Sequence, residues 1–336
     1  MPPRRRTGRA AGREMIVPAR LQQTRRKEAE SWPGKRYLTP FWMDLEQKAI
    51  ERVKMASEMS LRLYESPLVV TDSGGKDSAV CREIVRRAGI PYEVQHNLTT
   101  ADAPQTIYYV RDTFRKLEER GITCRINYPV YKGRRVTMWT LIPIKKFPPT
   151  RLQRYCCQVL KESYCRDRFI TTGVRWAESV RRRKSRGVYE NFTYNRDKKI
   201  ILNNDNDEKR QMFESCELKG KRICNPIVDW TDRDVWDYIH SERLPMNPLY
   251  DMGYFRVGCI GCPMAGKRRW MEFGMFPTFR QAYTQAFGRM LDVIHGAGIP
   301  TKWKTAEDVF LWWMEDEQVE GQMRLADLDD WMQENG

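Results

Sequence analysis

The stretch Pro67-Leu68-Val69-Val70-Thr71-Asp72-Ser73-Gly74-Gly75-Lys76-Asp77-Ser78 restricts the fold of this chain more than any other. Its first four residues form a short apolar run of the kind buried in parallel sheets. Two glycines follow closely, and the segment from Asp77 to Ala88 then reads as a helix closed by Gly89. A strand that turns through glycines into a helix N-terminus makes an anion site. Backbone N–H groups can approach the ligand closely, and the helix dipole adds positive potential. Lys76 can neutralise phosphate charge, Ser73 and Ser78 can bond phosphate oxygens, and Asp77 can hold Mg²⁺ bridging the phosphates. The spacing is not G-x-x-x-x-G-K-[ST], so the loop is not that of the P-loop NTPases.

The flanking sequence extends this unit. Ile90–Gln95 reads as a second strand, Ala103–Arg120 as a helix ending at Gly121, and Thr123–Tyr128 as a third strand. Strand-helix-strand-helix-strand over about 60 residues predicts an α/β fold with a doubly wound, mostly parallel sheet. Further on, the pattern predicts a helix over Tyr155–Phe169, a strand over Ile170–Val174 and an irregular excursion over residues 186–222, rich in Asn and Asp at 203–207. Helices are expected from Thr231 through His240, over Phe279–His295 and over Ala306–Glu317. Thr39-Pro40 opens a long helix through residue 66, with Thr as cap and Pro at the first helical position. Four segments result: a basic arm over 1–36, an N-terminal helix over 37–66, a nucleotide-binding domain over 67–265 and a helical C-terminal extension over 266–336. Aromatic residues at helical spacing from Trp303 to Trp313 suit core packing better than base stacking.

The net charge of +15 is uneven, with 11 Lys/Arg against 3 Asp/Glu in residues 1–36. That segment has too few large apolar residues to form a core and reads as an arm. Arg181-Arg182-Arg183-Lys184-Ser185-Arg186 and Lys267-Arg268-Arg269 form two more clusters. Such clusters suit a polyanion, nucleic acid or nucleotide, although a solvated surface has the same composition. No apolar run reaches the ~18 residues of a membrane span, and the Arg-rich start lacks the apolar stretch of a secretory signal. No membrane association and a cytoplasmic location are therefore expected.

Nine cysteines in such a chain are expected as reduced thiols, metal ligands or catalysts. Cys156-Cys157 and Cys259-Ile260-Gly261-Cys262 offer two pairs of soft ligands, and a tetrathiolate set takes Zn²⁺ or an iron–sulfur cluster. Cys81, Cys124, Cys165, Cys216 and Cys224 are scattered and read as small hydrophobes.

Four ordered motifs carry a resemblance. They are Ser73-Gly74-Gly75-Lys76-Asp77-Ser78; Gly173-Val174-Arg175-Trp176-Ala177-Glu178-Ser179 with Arg182; Asn225-Pro226-Ile227-Val228-Asp229-Trp230-Thr231-Asp232; and Asn247-Pro248-Leu249-Tyr250-Asp251 leading to Gly258-Cys259. Over about residues 67–265 the chain resembles the phosphoadenosine phosphosulfate (sulfonucleotide) reductase family. That family lies within the adenine nucleotide α-hydrolase and N-type ATP pyrophosphatase superfamily. The resemblance implies a Rossmann-like sheet with ATP and Mg²⁺, or the phosphosulfate end of a nucleotide, at Ser73, Gly74, Gly75, Lys76, Asp77, Ser78, Arg175, Ser179 and Arg182. Lys76, Asp77 and Arg175 are its expected catalytic residues. Cys156, Cys157, Cys259 and Cys262 resemble the [4Fe–4S] ligand set of adenylylsulfate reductases and of the DNA-phosphorothioation ATP pyrophosphatase.

Reductases of this family attack sulfur with a cysteine in a C-terminal E-C-G-[IL]-H tail, whereas no cysteine follows Cys262 here. They also carry a V-D-T-G-like turn where this chain has His96-Asn97-Leu98-Thr99-Thr100-Ala101-Asp102. The expectation is therefore an iron–sulfur ATP pyrophosphatase that adenylates an acceptor for sulfur transfer, with nucleic acid as acceptor. The sulfur would ride on the cluster or on the persulfide of a donor protein such as a cysteine desulfurase. A phosphoadenosine phosphosulfate or adenylylsulfate reductase producing sulfite, with Cys165 or a thioredoxin supplying the thiol, is the alternative. A non-catalytic nucleotide sensor that binds nucleic acid is a second.

Overall fold

A computed structural model describes residues 40–192, 199–202 and 221–315. The chain divides into two units, Met1–Met43 and Asp44–Gly336. The expected basic arm over 1–36, the 203–207 stretch, Cys216 and the chain beyond Glu315 lie outside the described residues. The second unit carries the sheet and every described helix, apart from the first residues of the long helix that opens at Pro40.

The strand and helix around the glycine turn form as their sequence predicts. Strand β1 (Leu68–Thr71) is buried along most of its length. The long helix α1 (Pro40–Tyr64) precedes it, and helix α2 (Lys76–Ala88) follows the turn. Helix α2 ends at Gly89, whose φ of 66° is the left-handed conformation a C-cap requires. Next come β2 (Tyr92–Asn97), α3 (Pro104–Glu118) and β3 (Cys124–Asn127). A small hairpin, β4 (Val130–Tyr131) and β5 (Arg134–Arg135), leads to α4 (Met138–Lys145) and α5 (Tyr155–Leu160). Strand β6 (Phe169–Thr171) then returns to the sheet, on the side of β1 away from β2.

Among the described residues the main sheet has seven strands in the order β3-β2-β1-β6-β9-β7-β8, where β7 is Tyr189–Phe192, β8 is Lys199–Leu202 and β9 is Lys221–Cys224. The five from β3 to β9 run parallel, with Val69 opposite both Glu93 and Ile170. Strand β7 pairs antiparallel with β8 and β9. Strand order reverses between β1 and β6. A crevice outside the carboxyl ends of strands at such a reversal is where open α/β sheets bind ligands.

The structure corrects four element expectations. The helix at Tyr155 stops at Leu160, and positive φ at Cys165 and Asp167 keeps the stretch before Phe169 from being helical. The supposed irregular excursion over 186–222 contains β7, β8 and part of β9; β7 pairs antiparallel with both β8 and β9, and β9 joins the parallel sheet beside β6. Helix α4 escapes a periodicity reading because it is short and holds Pro143; a Thr137–Thr140 capping box starts it. Helix α8 (Arg268–Met275) is likewise short.

Helices α9 (Pro277–Gly296) and α10 (Ala306–Glu315) pack into one core with the segment that precedes them. That core joins Ala101, Leu141, Leu160 and Ile260 to Phe273, Phe287, Phe310 and Trp313. Tyr283 is central, 4.8 Å from the Trp139 ring and 4.6 Å from that of Trp313. Core packing is thus the role of the aromatic residues in α10. No helix among the described residues is long and apolar enough to cross a membrane.

Candidate phosphate site and thiol quartet

The glycine turn is built from within. Gly74 has a φ of 73°, and a Cβ there would lie 2.9 Å from Thr106 Cγ2. Only glycine satisfies both constraints. Asp72, buried at the end of β1, braces the turn: its Oδ1 accepts from Gly74 N at 2.8 Å and lies 3.0 Å from Ser78 Oγ. Ser78 Oγ also accepts from Ser73 N at 3.3 Å. The buried carboxylate of Asp72 pairs with Arg82 on the next turn of α2. Asn247 Nδ2 donates to Gly74 O at 3.0 Å, and Tyr250 Oη accepts from Lys76 N at 2.8 Å. Ser73 stands exposed at the tip, whereas Ser78 is buried with its hydroxyl engaged inside the loop.

Charge gathers in front of this turn. Lys76 is 7% exposed and Arg175 only 1%, so two cations are nearly buried together. Lys76 Nζ lies 3.1 Å from Asp77 Oδ2 and 3.3 Å from Asp232 Oδ1. Arg175 donates from Nε to Asp77 Oδ1 and from Nη2 to Asp232 Oδ1, both at 2.7 Å, and its Nη1 reaches Trp230 O at 3.3 Å. Partial burial would raise the Asp232 carboxyl, but bonds from Arg175 and Lys76 outweigh it and hold the group below the usual range. Arg175 reaches this point because the chain leaving β6 touches the first turn of α2. A Cβ on Gly173 would sit 2.7 Å from the backbone carbon of Asp77. The residues expected to act on phosphate, Lys76, Asp77 and Arg175, therefore meet.

Ser179 and Arg182 stand at the margin. Ser179 caps a short helix α6 (Val180–Ser185), its Oγ accepting from Arg182 N at 3.2 Å. The Arg182 guanidinium pairs with Glu178. Burial, and then the charges of Arg256 and Arg186, push Arg182 down to about 10, while Asp77 pulls the other way. Of the cluster Arg181–Arg186, Arg182 is near enough to feel the charge of Asp77.

The four expected ligand cysteines come from separate elements, and Cys157, Cys259 and Cys262 all bear electrostatically on Cys156. Cys156 and Cys157 lie on α5, while Cys259 and Cys262 flank a turn at Gly261. Ile260 N donates to Ala101 O at 2.8 Å, and Cys259 Sγ to Thr99 Oγ1 at 3.4 Å, so the turn leans on the loop after β2. The C-terminal helices hold its other side. Tyr283 Oη donates to Ile260 O at 3.0 Å, Glu272 Oε2 accepts from Gly261 N at 2.8 Å, and a Cβ on Gly261 would lie 2.4 Å from Phe273 Cζ. Cys156 is pushed up by its bond to Cys157, by burial and by the charges of Cys157, Cys259 and Cys262. Cys157 is held low chiefly by the bond from Cys156, against burial and with help from Lys161 and Arg154. Arg154 Nη2 donates to Cys157 Sγ at 3.4 Å. The thiols therefore feel one another, and two cations attend them. Among the described residues no three His, Cys, Asp or Glu side chains are grouped as a metal-binding set.

Cys165 stands apart. It packs on Val69, Ile170 and Ile223, donates to Gln95 Oε1 at 3.3 Å and is pushed up by burial. Such a thiol is a poor nucleophile. Sequence reasoning missed Asp72, Arg82 and Tyr250 as braces of the loop, and Asp232 as a member of the charge cluster. Their signal was adjacency to motifs already singled out: Asp72 precedes Ser73, and Asp232 follows the Asp229-Trp230-Thr231 stretch.

The phosphoadenosine phosphosulfate reductase domain model matches residues 67–265. An uncharacterized protein of Methanocaldococcus jannaschii is 28% identical over 261 residues, covering 76% of this chain and 54% of its own length. An adenosine 5'-phosphosulfate reductase of Geobacillus kaustophilus is 26% identical over 213 residues, 60% of this chain and 74% of the relative. A phosphoadenosine 5'-phosphosulfate reductase of Xanthomonas oryzae is 41% identical over 73 residues, 21% of this chain and 27% of the relative. The chain thus spans about half the length of the M. jannaschii relatives, 54% of one and 45% of another. Among solved structures, phosphoadenylyl-sulfate reductase from Candida auris has a TM-score of 0.39 at 18% identity, over 67% of this chain and 98% of the other. Yeast FAD synthetase has a TM-score of 0.37 at 14% identity, over 72% and 73%. Those two likenesses are too loose to argue from.

Proposed function

The chain belongs to the phosphoadenosine phosphosulfate reductase domain family, and from that premise we propose that it is an iron–sulfur ATP pyrophosphatase that activates an acceptor for sulfur transfer. The observation that carries this reading is the pair of nearly buried cations, Lys76 and Arg175, in front of a glycine turn at a helix N-terminus. An internal departure from the reductase pattern supports it: the loop after β2 reads His96-Asn97-Leu98-Thr99-Thr100 where reductases carry an acidic turn. The nucleophile suggested for reduction, Cys165, has a thiol raised by burial.

In this reading the triphosphate of ATP lies on the turn at Ser73–Ser78. Lys76 and Arg175 bind its oxygens, and Asp77 would hold Mg²⁺, which would add charge neutralisation there. An acceptor oxygen attacks the α-phosphorus and pyrophosphate leaves, so the acceptor oxygen carries AMP. A sulfur nucleophile then displaces AMP. The chain's own contribution is positioning and preorganised positive charge, which is where phosphoryl-type chemistry gains most. Arg182 and the Arg181–Arg186 cluster would hold the phosphates of a nucleic-acid acceptor beside the site.

The quartet of Cys156, Cys157, Cys259 and Cys262 suits a [4Fe–4S] cluster by donor chemistry, since four soft thiols stand with Lys161 and Arg154 to offset thiolate charge. A bound cluster would supply a soft sulfur-handling centre. Its sulfur source would be the persulfide of a donor protein, with a second thiol supplying the two electrons that free the sulfur and ending as a disulfide with the donor cysteine.

The test is a product assay on protein purified without oxygen, with iron counted in parallel. Incubation with ATP, Mg²⁺ and nucleic acid is expected to give pyrophosphate, and adenylylsulfate or its 3'-phosphorylated form is expected to give no sulfite. Sulfite without pyrophosphate would reverse the assignment in favour of reduction.

A further inference from the structure

Asp232 holds an unusual position in the charge cluster. Its side chain is 65% exposed, whereas those of Lys76 and Arg175 are 8% and 1% exposed. One oxygen, Oδ1, meets both cations, at 3.3 Å and 2.7 Å, as a bridging phosphate oxygen would. Neither cation depends on it for its place. Lys76 and Arg175 both remain tied to Asp77, and Arg175 also donates to Trp230 O.

Helix α7 (Asp232–Ser241) does not need it either. Its N-terminus is closed by a complete capping box of Thr231 and Asp234. Asp234 N donates to Thr231 Oγ1 at 3.2 Å, and Thr231 N donates to Asp234 Oδ2 at 2.7 Å. Asp232 is the first residue of the helix, where the positive end of the dipole gives a carboxylate a second favourable position in solvent.

We propose that Asp232 is a displaceable stand-in for phosphate: its carboxylate bridges Lys76 and Arg175 when no nucleotide is bound, and the phosphate chain of an incoming nucleotide takes its place. This rests on the nucleotide reading above and adds a selectivity device to it. An anion must replace a carboxylate already bonded to both cations, so a ligand with several phosphate oxygens competes well and a single phosphate poorly. The carboxylate swings out on binding and returns when the chain of phosphates departs, which favours release of the cleaved products.

Calorimetric titration with inorganic pyrophosphate tests the proposal on the full chain, comparing wild type, Asp232→Asn and Asp237→Asn. Asp237 lies on the same helix, paired with Arg233 at 3.3 Å, and its replacement removes the same charge without touching the cluster. Asp232→Asn is expected to bind pyrophosphate about tenfold more tightly than wild type, and inorganic phosphate to gain at least as much, while Asp237→Asn changes affinity less than about twofold. Equal or weaker binding by Asp232→Asn overturns the proposal and leaves the nucleotide reading standing, as does equal tightening by Asp237→Asn. Failure of wild type and both variants to bind pyrophosphate or ATP overturns the nucleotide reading itself.

Discussion

The phosphate turn and the thiol quartet are made in opposite ways. The turn is largely a local product: Asp72, Gly74, Gly75 and Ser78 bond to one another, and distant residues such as Asn247 and Tyr250 complete what seven consecutive residues begin. The quartet has no local origin. Its members lie about a hundred residues apart, and the turn at Gly261 is wedged between the loop after β2 and the C-terminal helices. The turn also neutralises its own charge with Asp77 and Asp232, whereas the thiols are offset by Lys161 and Arg154 and still repel one another. The turn's own bonds thus come mainly from its neighbours in sequence, while the Gly261 turn is only as well placed as the core behind it.

If the two regions are separable, each breaks alone. Lys76→Ala is expected to lower pyrophosphate release from ATP about a thousandfold, the scale of losing one preorganised charge contact in a transition state. Its iron content should match wild type, and a parallel fall in iron would show the regions to be coupled. Gly261→Ala inverts the experiment. A Cβ 2.4 Å from Phe273 on a backbone at φ 72° is expected to cost about 2–4 kcal/mol in urea unfolding. Iron should fall with it, while the remaining folded protein still binds pyrophosphate.

A smaller effect is expected where α1 is pinned to the fold, away from both regions. Arg52 pairs with Asp229 at 2.8 Å and also donates to Pro226 O at 2.8 Å. Asp229→Asn leaves that buried guanidinium short of charge and is expected to cost about 2–3 kcal/mol. Burial alone would raise the Asp229 carboxyl, but Arg52 and Lys48 hold it below the usual value of 3.8. The pair therefore contributes fully above that value and is lost as pH falls through the lower folded one. Urea midpoints should drop on acidification below about pH 4, with a shallower acid limb in Asp229→Asn. Thr231→Ala should cost least, about 1 kcal/mol, by removing one cap of α7. It leaves both regions intact, so unchanged pyrophosphate affinity would show that α7 positions Asp232 without its cap.

The same contrast explains what the sequence made legible. The loop, its strand and its helix could be read because all their determinants are neighbours: apolar strand, glycines, helix, then Gly89 at the C-cap. The meeting of Arg175 with Asp77 was legible only as a motif, since it depends on Gly173 passing against α2 at a distance no other residue allows. Asp232 was passed over because a first-turn Asp already has a reason to be there. Strands β7 and β9 were hidden for another reason. Arg222, Glu190 and Asn191 are fully buried polar residues within them, and polar strands give no apolar alternation until their partners are known. Helices α9 and α10 were visible as helices, whereas α8 was not. That they hold the Gly261 turn was not, because the contact joins Tyr283 and Glu272 to a loop whose shape comes from elsewhere.

The most direct trial of the account is pyrophosphate released from ATP and Mg²⁺ by protein kept free of oxygen, with nucleic acid present, for wild type beside Lys76→Ala. The account predicts pyrophosphate from wild type, with AMP retained on the acceptor until a sulfur donor is added, and almost no pyrophosphate from the variant. ATP left intact by iron-replete wild-type protein would contradict it.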